Sequence, residues 1–403
     1  MNRAGPESDK LRVLIAAETF LPSVNGVTNS VLRVIEHLRL RGHEAMVMAP
    51  NPGPSFVDNT PVVRVPSQEF PMYRNLPVGF PTSKMIDKIV DEFQPDVIHL
   101  AAPAVLGARV AAAASARDLP VVAIYQTDLP GFAKSYGLSV LSPALWWWLR
   151  RVHRMADVTL APSTAAAKDL HAQGVTRVGV WGRGVDRELF RPGRFSPEFR
   201  REVVGDHHDN AVLVGYVGRL AREKGIDRLR WLQRIPDVKL VIVGDGPQAD
   251  ELKQLLPKAH FTGMLRGIGL ATAMASLDVF VHTGTHETFG QTIQEAMASG
   301  LPVVAPASGG PLDLVVPDET GYLYEPDSDT AMVSAVNKLV SDPDRRRQFG
   351  AAGRIRTEER GWDRLGDELI ETYHRCIELR VSMTDSRRST RPTRVSPLAR
   401  LGI

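Results

Sequence analysis

The sequence predicts an α/β protein made of two doubly wound parallel-sheet domains with a cleft between them. Three observations carry that prediction. Short apolar, β-rich runs alternate with helical stretches. The alternation stops in a charged, turn-rich segment and then starts again. The chain has 403 residues, too many for one ordinary core and about right for two. In the first domain, residues 1–185, strand-like runs lie at 11–17, 44–49, 62–65, 97–100, 121–125, 158–161 and 178–181, and helical stretches at 27–41, 83–93, 105–116, 143–155 and 165–172. The strand-like runs lack strict apolar–polar alternation, as expected for strands covered on both faces. Residues 186–209, with Pro192, Gly193, Pro197 and Gly205, read as the connection.

The second domain, 210–360, repeats the pattern. Its strands are expected at 212–217, 239–243, 259–262, 278–282, 302–305 and 321–324, with helices near 225–234, 248–256, 270–275, 291–299 and 330–341. An amphipathic helix at 361–379 follows. The tail, 380–403, holds six arginines and one acid, Asp385, and is rich in Ser, Thr and Pro, so it is expected to be disordered. Without that tail the net charge of +3 becomes about −2, which gives no reason to expect nucleic acid as a partner. No apolar run approaches the ~20 residues of a membrane span. The first ten residues lack the apolar core of a secretion signal, and a single cysteine, Cys376, excludes an internal disulfide framework. A cytoplasmic enzyme is the expectation.

In open parallel sheets, ligands bind beyond the carboxyl ends of the strands. The loop after 278–282 runs Thr283-Gly-Thr-His-Glu287-Thr-Phe289-Gly290-Gln291-Thr292-Ile-Gln-Glu295, two glutamates eight apart around a helix start. Unpaired N–H groups and the dipole make such a start a phosphate site. Glu287 before it suits sugar hydroxyls, and Glu295, ~7 Å along the axis, suits a ribose. The loop Gly218-Arg219-x4-Lys224-Gly225 would set two cations on a diphosphate and stabilise its departure. Gly26, in Pro22-Ser-Val-Asn-Gly-Val-Thr28, would let backbone approach the diphosphate or the sugar closely.

Together with Gly244-Asp-Gly246-Pro247 and Gly309-Gly310-Pro311, these motifs resemble the retaining glycosyltransferases of family 4. The resemblance spans about residues 11–379 and implies the GT-B fold: two Rossmann-like domains, the first for the acceptor and the second for the nucleotide sugar, with the last helix crossing back to the first domain. It places Arg219 and Lys224 on the diphosphate, Gly218 and Gly246 in the donor site, Glu287 on the donor sugar and Glu295 on the ribose. It places Met264 by the base and the 289–292 backbone on phosphate and sugar. No metal and no cofactor are expected, and the leaving phosphate itself takes the acceptor's proton. After the strand at 121–125 many family members carry a histidine on the donor sugar; here Gln126 stands there, leaving Asp128 to orient the acceptor. The sequence looks most like actinobacterial α-mannosyltransferases that use GDP-mannose and a membrane glycolipid at the inner face of the membrane. A lipid glycosyltransferase using UDP-glucose or UDP-galactose is the alternative; a non-catalytic nucleotide-sugar binder is more distant.

Other signals carry less. Gly244-x-Gly246-x-x-Ala249 fits a dinucleotide fingerprint, but the next strand lacks the ribose-binding acid, which argues against an NAD enzyme. Asp327-x-Asp329 and Asp342-x-Asp344 read as helix caps rather than metal ligands. Trp146-Trp147-Trp148 with Arg150, Arg151 and Arg154 is a candidate membrane surface, with at least one tryptophan buried. The loop 69–84, with Phe70, Tyr73, Arg74, Leu76 and Phe80, is a second.

Overall fold

The computed structural model describes residues 10–69, 77–131, 139–205 and 211–389. The first domain is built on an eight-stranded sheet, ordered Val178–Val180, Val158–Ala161, Val121–Ile124, Val97–Ala101, Arg12–Ala17, Glu44–Pro50, Thr60–Val65 and Phe56–Val57. All neighbours are parallel except the last pair. The second sheet has six parallel strands, ordered His260–Gly263, Val238–Val243, Val212–Val217, Val279–Val281, Val303–Pro306 and Gly321–Tyr324. In each sheet the first strand lies centrally and the chain winds outward to both sides. That reversal opens a crevice at the strand ends. Fully apolar strands such as Val212–Val217 are buried along their whole length, which explains the missing alternation.

Several elements differ from expectation. The helix expected at 225–234 is instead two 3-10 stretches, Arg222–Lys224 and Ile226–Arg234, separated by Gly225 with its left-handed φ of 59°. A helix over Pro343–Arg356 has a clear start in Asp342, which caps Arg345 N–H at 2.9 Å, but its body carries two glycines and a run of arginines that blur any apolar stripe. The final helix, Trp362–Ser389, runs ten residues beyond 379. Its extension begins with Arg380, whose Nε lies 2.7 Å from Asp157, so 380–389 corrects the expectation of a tail disordered from 380. Residues 390–403 lie outside the described residues.

The connection is also structured. Within 186–209, the helix Pro197–Val204 docks on the second domain: Ser196 N–H donates to Ser276 Oγ (3.0 Å), Arg200 pairs with Asp278 (2.9 Å), and Val203 enters the core. The last helix packs against the first domain, where Leu365, Leu369, Tyr373 and Cys376 join the core of Val13, Ile15, Val31 and Ile35. Two crossings therefore run side by side. Val185 N–H donates to Arg360 O at 3.0 Å, and Trp181 Nε1 donates to Leu365 O at 2.9 Å.

Candidate active site

A cleft of about 1570 Å³ lies between the two sheets. It exceeds the ~300–1,000 Å³ of ordinary small-molecule pockets, leaving room for two substrates side by side. On its second-domain wall stand Gly218, Arg219, Gly246, Met264, Gln291, Thr292 and Glu295; on the other stand Gly26, Ser30 and Arg183. The loops after Val212–Val217 and Val279–Val281 meet where strand order reverses, and this brings the Gly-Arg-x4-Lys and Glu-x7-Glu motifs together.

Lys224 and Glu287 form one unit. Lys224 Nζ lies 2.7 Å from Glu287 Oε2, with both side chains largely buried. Burial alone would raise the Glu287 pKa, but Lys224, His282 and Arg183 outweigh it and hold the carboxyl at about 2. Glu287 O also accepts Gly310 N–H at 2.7 Å, so the Gly309-Gly310 turn fixes this segment from behind. The helix Gln291–Ala298 begins after Gly290 (φ 96°) with no side-chain cap, leaving its first N–H groups toward the cleft. Phe289 is different: its ring belongs to the core of the second domain, so only its backbone is available to a ligand.

Glu295 lies one turn inside that helix, where Gln291 Nε2 donates to it at 3.3 Å. Burial pushes its pKa up to about 7 against the opposing pulls of Gln291 and Arg183. A carboxyl whose folded pKa is raised contributes stability that is complete below its unfolded value near 4.5 and is lost as pH rises through 7. Glu295→Gln, neutral at every pH, is therefore expected to melt above wild type at pH 8, with the gap shrinking toward pH 5. Parallel melting curves at both pH values check this, and a gap independent of pH would refute it.

Arg219 is more than half exposed and reaches toward Glu223 at 3.7 Å, while Met264 is exposed on the cleft rim. Gly246 lies on the cleft because its loop packs on the 218–220 backbone; a Cβ there would fall 2.4 Å from Leu220 O. Gln126 is buried. Its Nε2 donates to Ser30 Oγ at 2.9 Å, and its Oε1 has no partner. Asp128 is engaged locally, its Oδ1 accepting from Tyr125 OH (3.3 Å) and Gly131 N–H (3.0 Å), so in this state the carboxylate closes a turn. The first Asp-x-Asp is not a cap: Ser328 caps that helix, while Asp329 takes Arg228 and Trp231 and Asp327 takes Arg228. Asp342 is a cap. Among the described residues no group of three or more His, Cys, Asp or Glu is placed to share a metal ion.

Gln294 and Arg183 lacked a role in the sequence reading. Gln294 Nε2 donates to Arg183 O (2.9 Å) and Gln291 Nε2 to Gly184 O (3.1 Å), tying the interdomain crossing to the helix that faces the cleft. Arg183 itself sits between two glycines just past a strand's end, where parallel sheets present ligand-binding groups; that position was the available signal.

Residues 24–189 match the model for Glycosyltransferase Family 4, and residues 199–356 match that for Glycosyl transferases group 1. A GDP-mannose-dependent alpha-mannosyltransferase of Mycolicibacterium smegmatis is 50% identical over 91% of this chain and 98% of its own length. The chain belongs to glycosyltransferase family 4. A Corynebacterium glutamicum family member with the same description is 43% identical over 92% of this chain and 90% of its own. A sulfoquinovosyl transferase of Arabidopsis thaliana is 35% identical over 84% and 68%. Among solved structures, the sucrose-phosphate synthase of Thermosynechococcus elongatus superposes with a TM-score of 0.75 at 20% identity, covering 92% of this chain and all of its own. That likeness establishes the GT-B fold of this family 4 glycosyltransferase, with the crossing final helix in place.

Proposed function

We propose that this glycosyltransferase moves mannose from GDP-mannose, with retention, to a lipid-linked acceptor. The observation that carries the reading is the uncapped helix start at Gly290, flanked by the Lys224–Glu287 pair on one side and by Glu295 on the other. A nucleotide sugar presents groups in that order: sugar, diphosphate, ribose. Arg219 and Lys224 then hold the diphosphate, Glu287 takes the sugar hydroxyls, Glu295 the ribose and Met264 the base. The N–H groups of 291 and 292 complete the phosphate contacts. The names of the relatives at 43–50% identity support guanine and mannose.

In this reading the acceptor hydroxyl attacks from the side the diphosphate leaves. The C–O bond to phosphate breaks as the new one forms on the same face, and the departing phosphate oxygen takes the acceptor's proton. The fixed cations stabilise the charge gained by the leaving group. In this reading Gln126, bonded to Ser30 and Thr288, takes a sugar hydroxyl, and its amide cannot act as a base.

A lipid acceptor is supported by the helix Ser142–Arg154. Trp147 is more than half exposed beside Arg150, Arg151 and Arg154, an apolar ring among cations as headgroup surfaces favour. Its neighbours face inward: Trp148 Nε1 donates to Ala104 O at 2.8 Å, and Trp146 stacks on Tyr125. Among the described residues no helix is long and apolar enough to cross a membrane. Of the second candidate loop, Phe80 packs against Arg109, while Phe70, Tyr73, Arg74 and Leu76 lie outside the described residues.

The test is calorimetric titration in EDTA with GDP, UDP, ADP and NAD, followed by transfer of labelled mannose from GDP-mannose into extracted membrane lipid. Tight GDP binding with label in the lipid fraction is expected. Preference for UDP would move the reaction to a UDP-hexose donor. Binding without transfer of label to any acceptor would favour a non-catalytic binder.

A further inference from the structure

Arg183 is nine-tenths buried, yet among the described residues its guanidinium forms no ion pair. Its Nε is buried with no hydrogen-bond partner. It lines the same cleft as Glu295, and the Glu287 and Glu295 carboxylates act on it only through space. A buried cation without a contacting anion is a standing cost to the folded protein. Its position is nonetheless held. The Arg183 carbonyl is fixed by Gln294, and on the same wall of the cleft a Cβ at residue 26 would fall 2.5 Å from its Nη1. Only glycine at 26 leaves the guanidinium where it is.

We propose that Arg183 is a third cation for the donor's diphosphate, supplied from the first domain's side of the cleft, and that Gly26 is there to give it room. This rests on the nucleotide-sugar reading above. A guanidinium suits the task because its planar fork can bond two phosphate oxygens at once, which a lysine cannot. The anion then fills the gap that no side chain fills, so donor binding brings the first domain's contribution onto a ligand held by the second.

The test measures how much a second phosphate adds to binding. Wild type, Arg183→Gln, Gly26→Ala and the double variant are titrated with GDP, GMP, UDP and UMP, with melting temperatures as the check on folding. In Arg183→Gln the preference for diphosphate over monophosphate should fall roughly ten- to a hundredfold, the scale of a lost charge-assisted hydrogen bond. Gly26→Ala should reproduce most of that loss, and the double variant should lose no more than Arg183→Gln alone. If Arg183→Gln does not fold, the Gly26→Ala titration carries the test. An Arg183→Gln protein that keeps the wild-type preference would overturn the proposal, and additive losses would overturn the part assigned to Gly26. A wild type that prefers UDP changes the donor base and leaves the test intact on UDP and UMP. A wild type indifferent to the second phosphate overturns both readings.

Discussion

Lys224→Ala is expected to lower kcat by roughly two orders of magnitude or more, the scale of removing one preorganised charge contact from a transition state. The contact matters twice. In the proposed site Lys224 meets the phosphate as charge accumulates there, and it also holds Glu287 ionised inside the domain. Without the ammonium, burial acts on the carboxyl with less opposition, its pKa climbs, and the group that should accept from sugar hydroxyls is altered as well. Breaking a largely buried pair by removing one partner also destabilises the fold, by about 3 kcal/mol. The two effects separate in Lys224→Met/Glu287→Gln, which removes the uncompensated charge. Its melting temperature should recover toward wild type while its turnover stays low. Steady-state kinetics and melting curves on the two variants decide the matter; near-normal turnover in either would remove Lys224 from the reaction.

The second large effect is on stability. Tyr373, in the final helix, is fully buried in the first domain and shares a 2.6 Å hydrogen bond with His99 Nδ1. Burial pushes His99 down to about 3, so its ring is neutral and depends on that one hydroxyl at Nδ1. Tyr373→Ala leaves a cavity of aromatic size and an unsatisfied buried nitrogen, and should cost about 4 kcal/mol. For a unit of this size the melting temperature should drop by roughly 10 °C. Tyr373→Phe, which removes only the hydroxyl, should cost about 1–2 kcal/mol. Calorimetry on the pair checks both figures. A loss confined to activity, with the first domain melting as before, would show that the crossing helix is dispensable to that core.

Much of this was legible in the chain because the fold repeats a simple pattern. Strands buried on both faces write themselves as short apolar runs, and the helix expected at 83–93 is there, opened by Thr82, whose hydroxyl caps Met85 N–H. The Gly-Arg-x4-Lys and Glu-x7-Glu loops were readable because each follows a strand. Their direct pairing through Lys224 and Glu287 was not, since residues 63 positions apart meet only when two strand ends adjoin. Arg183 was missed for a related reason. It stands at the end of the first domain, just before the segment read as a connection, and only the folded structure shows that its side chain lines the cleft. The helix Pro343–Arg356 hid behind Gly350 and Gly353, which cost helix propensity. There they permit close approach: a Cβ at Gly350 would fall 2.0 Å from Gly300 O.

The last helix completes the first domain, and this shapes the protein's birth on the ribosome. Leu365, Leu369, Tyr373 and Cys376 close one face of a sheet whose strands are translated from residue 12 onward. When the strand at 178–180 has emerged, the face that will receive them is bare. At about 5–20 residues per second, the remaining stretch to residue 389 takes roughly ten to forty seconds. For that interval the nascent first domain carries exposed Val, Ile and Leu side chains in a cell crowded with other unfinished chains. The first domain thus receives its last core residues only after the whole second domain has been made.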